Sequence, residues 1–427
     1  MEIIWILALM LFFIFIRVPI AFAIGLTGVI SIIIKGLPLE LVTQRMFTSL
    51  DSFTLLAVPL FIFVGEAMNT GGVTERLFGF CRVLLRHVKG SLGHVNVLAS
   101  VIFAGMSGSA VADAAGLGIV EIKAMREIGF DDDFSAAVTA ASSTIGPIIP
   151  PSIPMVIYAV LAEQSVGRLF LGGIVPGLLM AIALMILVYF ISKKRNYPVE
   201  PRAKFGEIVR SFLKAFPSLL TPAIILGGIL LGIISTTEAA ALSAVYALFL
   251  GFVIHKELTL KSLYEILKRT VISSVTVLIV ISSANILTWI IISSGSPDAI
   301  AALVQNITTN KLLVLLLINL VLLFMGCFLE SISILTIMVP ILLPIVNALG
   351  INLVAFGVII VLNTMIGLIT PPFGLSLFVV SKLTNLSVSK LTKPVLLFAI
   401  PLVVVLLLIT IFPEVITFLP DLIMGKA

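Results

Sequence analysis

The chain has 427 residues, of which 60% are hydrophobic and only 11% charged. Soluble domains carry about 25% charged residues, whereas a mean hydropathy of +1.27 and repeated apolar runs of about 20 residues mark a polytopic membrane protein. A soluble enzyme is excluded, a net charge of +5 is no nucleic-acid signal, and continuous apolar runs are unlike the alternation of a lipid-facing barrel.

The N-terminus lacks the basic flank and small-residue cleavage site of a secretion signal, so Ile3–Ile16 is predicted as a first short crossing ending at Arg17. Pro19–Ile34 is the second. Leu39–Leu50 mixes polar and apolar positions and is predicted to lie along the membrane surface. Phe53–Met68 crosses again, and Glu75–Lys89 is a basic, amphipathic surface helix. Cys81 and Cys327 sit in apolar surroundings and suggest no disulfide framework.

The run Gly105–Gly118, GMSGSAVADAAGLG, then places two serines and an aspartate inside apolar sequence. Polar groups at membrane depth are costly and usually face a cavity. The flanking segments Ser91–Met106 and Ser109–Ile122 make arms of about 24 and 21 Å at 1.5 Å per residue. Neither comfortably spans a core of about 30 Å, so a re-entrant helical hairpin is predicted. Non-helical backbone at its tip requires a buried or cavity-lining position.

Ala136–Ala162 follows, interrupted at STIGPIIPPSIP, where one glycine and four prolines cannot all join a regular helix. Arg168–Ile191 crosses back, and Lys193–Lys214 is a basic linker. The second half repeats the order. Crossings at Pro217–Ser235 and Ala239–Val253 precede a surface helix at Glu257–Arg269 and a crossing at Val271–Ser294. A short helix at Pro297–Gln305, a second hairpin within Leu312–Leu349, a broken segment Leu353–Val380 interrupted at NTMIGLITPPFG, and Pro394–Phe412 complete the chain.

The two halves align without a gap at a displacement of 221 positions. Gly105 falls on Gly326, Gly146 on Gly367, Pro150-Pro151 on Pro371-Pro372, Ser143 on Thr364, and Ser142 on Asn363. With the N-terminus outside and both hairpins re-entrant, only Lys35, Arg45, Arg168, Lys311 and Lys426 of the 26 lysines and arginines fall outside. That asymmetry follows the positive-inside rule and makes the second half inverted relative to the first. The expected architecture is therefore all-α, with inverted repeats, two re-entrant hairpins and two broken helices. The repeats run over residues 1–192 and 217–427, joined by a cytoplasmic linker at 193–216.

Two related halves with interrupted helices point to the midplane site of a secondary transporter. At Ser107-Gly108-Ser109 one arm ends in free carbonyls and the other begins with free N–H groups, suited to a cation and an anion respectively. The break at Ser142, Ser143 and Gly146 adds hydroxyl and carbonyl oxygens. An all-oxygen set suits a weakly bound monovalent cation; alternatively, the small residues only allow close helix packing. Asp113, one turn beyond the tip, is read either as a cation ligand or as an anchor for the tip. In the second half Glu330 and Ser331 stand at the tip, and Asn363, Thr364, Gly367 and Thr370 flank the break. Glu330 is a candidate cation ligand or proton carrier. Glu66 and Glu238 are read as solvated at segment ends.

Gly105–Gly108 also spells GxSG, the pattern around the nucleophile of rhomboid-type intramembrane proteases. Such a serine needs a histidine base in reach, and His94 lies about 20 Å from Ser107 along its arm. His87 and His255 adjoin basic stretches. No HExxH, Walker or nucleotide-loop motif is present.

The segments RVPIAFAIGL, AVPLFIFVGEAM, GMSGSAVADAAGLG, STIGPIIPPSIPMVIYA and NTMIGLITPPFGLSLFV together resemble the large membrane subunit of tripartite ATP-independent periplasmic (TRAP) transporters, the DctM-like family. The resemblance covers essentially the whole chain. It implies an elevator-type carrier in the bacterial inner membrane that imports small organic acids, such as C4-dicarboxylates or sialic acid, with two or more sodium ions. It further implies a periplasmic substrate-binding protein and a small four-helix membrane subunit, here expected as a separate chain. Carried over by motif, Ser107, Gly108, Ser109, Ser142, Ser143 and Gly146 would form one sodium site. Gly326, Glu330, Ser331, Asn363, Thr364, Gly367 and Thr370 would form the other. Ser109, Asp113 and Ser152 would face the substrate. A sodium/dicarboxylate symporter working without a binding protein is the nearest alternative.

Overall fold

The computed structural model describes residues 2–295, 308 and 310–426. Every regular element among them is a helix, because a chain in lipid must satisfy its backbone polar groups within each segment. The predicted helix at Pro297–Gln305 lies outside the described residues.

In order, the chain forms α1 (Glu2–Phe15), α2 (Ile20–Ile34), α3 (Glu40–Thr48), α4 (Ala57–Thr70) and α5 (Val73–Leu85). Two helices separated by a short tip follow, α6 (Ser91–Ser107) and α7 (Ala110–Ile128). Next come two half-helices, α8 (Asp132–Ser143) and α9 (Ile153–Leu161), and then the long α10 (Val166–Arg195). After α11 (Phe205–Leu230), α12 (Thr236–Phe249) and α13 (Leu260–Ser293), the same series recurs. It comprises α14 (Lys311–Gly326), α15 (Ser331–Ala348), α16 (Leu353–Gly367), α17 (Leu375–Thr384) and α18 (Val388–Ile411), with α19 (Glu414–Met424) at the end. Seven of the described helices are long and apolar enough to cross a bilayer.

Several boundaries differ from those read in sequence. Most of the basic stretch Glu257–Arg269, from Leu260 on, and the crossing after it are one continuous helix, α13, of 34 residues. At about 51 Å it exceeds a core of about 30 Å, so its basic first turns project beyond the membrane. Arm α7 continues to Ile128 and stops where Gly129 turns left-handed (φ 94°); Lys123 and Arg126 extend the helix instead of ending it. Helix α11 starts inside the basic linker, and α19 was not anticipated. Glu238 is not merely solvated: with Ser235 it forms a reciprocal cap at the start of α12.

The packing exchanges elements between halves. Arm α7 packs on half-helix α17, and arm α15 packs on half-helix α9. Helices α10 and α18 pack against each other and against the broken segments, while α13 packs on α2, α3 and α4 and also on α15. At the basic end, Arg195 donates to Asp131 and to both oxygens of Asp133, at 2.8–3.0 Å. Tyr197 also donates to Asp131 at 2.7 Å. This clamp ties the end of α10 to the α7–α8 turn.

The hydrogen bonds from Arg195 hold the Asp133 carboxyl below its usual range. A depressed folded-state value contributes stability above the unfolded pKa of about 3.9, lost as pH falls through the lower folded value. Arg195→Gln is therefore expected to flatten the loss of thermal stability between about pH 4 and pH 3. Thermal unfolding of both proteins across that range checks it.

Candidate functional site

Both helix–tip–helix units end in the protein interior, and the tips meet across one cavity of about 370 Å³. Its lining includes Ser107, Gly108 and Ser109 from the first tip and Glu330 and Ser331 from the second. Pro147, Met365 and Leu368 contribute from the breaks, and Glu66, Ser273 and Thr276 from α4 and α13. Ser142, Ser143, Gly146, Asn363, Thr364, Gly367 and Thr370 do not line it; they lie behind it among the broken helices.

The first tip is built by its sequence. Gly108 takes a left-handed turn (φ 60°), and a Cβ there would come within 2.6 Å of the Pro151 carbonyl oxygen. Only glycine fits. Ser109 caps α7 by accepting from the Ala112 N–H at 3.4 Å, and Ser107 Oγ accepts from the Ser109 N–H at 3.4 Å. Ser107 Oγ donates its own proton to Asp113 Oδ1. Asp113 thus anchors the tip, one of its two predicted roles. Its other oxygen, Oδ2, is buried, has no partner and points at the Gly146 Cα, where a Cβ would sit 2.4 Å away.

The hydroxyls at the breaks spend their protons locally. Ser143 donates to the Ala140 carbonyl at 2.8 Å, Thr364 to Val361 at 2.8 Å and Thr370 to Ile366 at 2.7 Å. Such bonds to the preceding turn leave the oxygen lone pairs free. Ser152 caps α9 by accepting from Met155 N–H at 3.2 Å and donates to the Pro147 carbonyl. It is buried in the break and does not reach the cavity. Both Pro150-Pro151 and Pro371-Pro372 are cis.

The second break is closed differently. Gly326 and Gly367 pack backbone to backbone: a Cβ on Gly326 would lie 2.8 Å from the Gly367 Cα, and one on Gly367 2.5 Å from the Gly326 Cα. Asn363 donates to the Asn319 carbonyl at 2.9 Å and to its Oδ1 at 3.0 Å, and Asn319 donates to Thr410 at 2.9 Å. Asn363 Oδ1 is buried without a partner. Several buried oxygens lack a partner, among them Asp113 Oδ2 and Glu121 Oε1 in the first half and Asn363 Oδ1 and Ser376 Oγ in the second; Asp113 Oδ2 faces the first break and Asn363 Oδ1 stands at the second. Buried oxygens with no donor fit a hard cation. No cluster of His, Cys, Asp and Glu suited to a transition metal occurs among the described residues.

Sequence reasoning missed three groups. Asn96 donates to Glu121 at 2.6 Å and to Thr139 at 2.7 Å, and accepts from Ser142 at 2.6 Å. Asn319 plays the corresponding part in the second half. A lone amide inside an apolar arm was the available signal for both. Glu66, half-buried one turn from the end of α4, lines the cavity and pairs loosely with Arg269. Ser107 meets no histidine; His94 contacts the Lys89 carbonyl at 3.1 Å and His255 lies 3.5 Å from Ser218. The geometry does not assemble the serine–histidine pair of a protease.

Residues 7–415 match the family described as the tripartite ATP-independent periplasmic transporter, DctM component. The chain is 47% identical over 412 residues to the sialic acid TRAP transporter large permease protein SiaM of Vibrio cholerae, covering 96% of each. It is 46% identical to the sialic acid TRAP transporter permease protein SiaT of Haemophilus influenzae, spanning 62% of that longer protein and 89% of this one. It is 36% identical to the C4-dicarboxylate TRAP transporter large permease protein DctM of Pseudomonas aeruginosa, covering 93% of this chain and 94% of that one. In fold it is similar to the crystal structure of the Alcanivorax borkumensis YdaH transporter, with a TM-score of 0.66 at 15% identity, covering 87% of this chain and 88% of the other.

Proposed function

Because the chain belongs to the DctM family of tripartite ATP-independent periplasmic transporters, we propose that it is the large inner-membrane subunit of a sodium-coupled importer of small organic acids. A periplasmic binding protein would deliver the substrate and a small membrane subunit would complete the complex. Relatives named for sialic acid and for C4-dicarboxylates support a small organic acid as the substrate. The observation that carries sodium coupling is the pair of orphaned buried oxygens, Asp113 Oδ2 and Asn363 Oδ1, one behind each tip of a shared cavity.

Sodium at the first site would take Asp113 together with oxygens of Ser107, Ser143 and the Gly146 turn. At the second it would take Asn363 with oxygens of Thr364 and Thr370. Each ion orders its tip, and the ordered tips present Ser109 and Ser331 to the anion. The half-helix N-termini at α7 and α15 favour a carboxylate without any arginine in the lining. Helices α6–α9 and α14–α17 then move as a block in the elevator sense, inverted in their repeat. Close contacts at glycines support sliding: a Cβ on Gly65 would sit 3.2 Å from the Ser107 Cα, and one on Gly105 2.5 Å from the Pro222 Cβ.

Thermal unfolding in NaCl, compared with KCl and choline chloride, tests the coupling. At ten times Kd one bound ion should stabilise the protein by about 1.4 kcal/mol, selectively for sodium, and the organic acid should tighten sodium binding by the factor with which sodium tightens the acid. Equal stability in all three salts would reject sodium coupling. Uptake in proteoliposomes that persists without the binding protein would show that the chain works as a symporter without one.

A further inference from the structure

The cavity lining contains two carboxylates, Glu66 and Glu330, and no lysine or arginine. An organic anion there is repelled by each of them that is ionised, unless cations offset the charge. One cation stands just beyond the lining. Arg269 lies on α13 one turn, about 6 Å, before Ser273, and with Ser273 and Thr276 it shares the helix face that meets the cavity. Its Nη1 lies 3.7 Å from Glu66 Oε2. That is a loose pair, since charge-assisted N–H···O contacts usually close to about 2.7–2.9 Å. The Arg269 side chain keeps 65% of its exposure, against 26% for Glu66.

We propose that Arg269 is the carboxylate receptor at the mouth of the cavity, and that Glu66 is its internal competitor, occupying the guanidinium until the carried anion displaces it. The proposal rests on the transport reading of the same cavity. A guanidinium fork matches a carboxylate with two parallel hydrogen bonds, which an ammonium cannot do. Ser273 and Thr276, one and two turns deeper, offer hydroxyls to the oxygens next to that carboxylate. The ligand class is therefore an organic acid bearing a hydroxyl or keto oxygen near its carboxyl group. Because α13 projects beyond the membrane at its basic end, the receptor sits on the side where Lys261 and Lys268 also lie. Arg269 thus receives the anion as it leaves the tips.

The complex of this chain with the small membrane subunit, in NaCl, is titrated with sialic acid and with malate, and uptake is measured in proteoliposomes with the binding protein. Arg269→Gln should weaken equilibrium binding about tenfold, the loss of one charge-assisted contact. Glu66→Gln should do the opposite: binding tightens about threefold and turnover falls as release slows. Arg269→Lys should recover part of the affinity, and Glu66→Gln/Arg269→Gln should bind no more tightly than Arg269→Gln alone. Wild-type binding with Arg269→Gln and Glu66→Gln both silent, or both shifting affinity the same way, overturns the receptor and leaves the transport reading standing. A wild-type complex that neither binds nor carries either acid in sodium overturns both.

Discussion

Gly367→Ala is expected to abolish uptake and lower the unfolding temperature, and Gly326→Ala to do nearly the same. The new methyl at Gly367 would lie 2.5 Å from the Gly326 Cα, and the one at Gly326 2.8 Å from the Gly367 Cα. Both obstacles are backbone, so no side chain can turn aside. Relief requires α14 to separate from α16, which pulls the second tip away from its break. Overpacking of this kind costs about 1–3 kcal/mol and occasionally more. The functional loss should exceed the stability loss, because Asn363 and its bonds to Asn319 lie one turn from the displaced contact. Gly227→Ala is the control: nothing lies within 4 Å of a Cβ there, and alanine favours a helix by up to about 1 kcal/mol. Unfolding temperature and initial uptake rate for the three variants decide it; a Gly367→Ala protein with wild-type uptake would mean that this close approach does not shape the site.

The second large effect is expected at Asp113. Asp113→Asn keeps the shape and an acceptor for the Ser107 hydroxyl but removes the buried charge whose Oδ2 has no donor. In sodium-free buffer the variant should be at least as stable as wild type, since a buried carboxyl without a cation is costly, either as an uncompensated charge or as a group forced to take up a proton. Its response to sodium should vanish. Loss of one charged contact worth about 1.5–3 kcal/mol weakens sodium binding by roughly ten- to a hundredfold, so uptake at ordinary sodium concentrations collapses. Asp113→Ala, which also frees Ser107, should be less stable than wild type in every salt. If Asp113→Asn keeps the sodium-selective rise in unfolding temperature, the carboxylate is only an anchor for the tip.

Much of this was legible in the chain. The two tips and two breaks follow from local chemistry: glycine at a left-handed turn, prolines that cannot continue a helix, and serines that cap the next one. Their recurrence 221 positions on, and the bias of basic residues, are also properties of the linear sequence. The family likewise could be read from segments short enough to be recognised one at a time. Periodicity and composition, however, report only which residues neighbour one another along a helix.

Contacts between distant segments were decided by tertiary structure. Gly105 and Gly146 match Gly326 and Gly367 in sequence, yet the second pair touch each other while the first make room for Pro222 and Asp113. Asn96 and Glu121 stand 25 positions apart in sequence, yet the fold joins them at 2.6 Å. Glu66 reads as interfacial until α13, one rod where two elements were predicted, carries Arg269 beside it. Sequence alone determined where the helices break, because glycine and proline act on their own backbone. Which oxygens are left without donors at those breaks depends on what packs against them, and only the folded chain decides that.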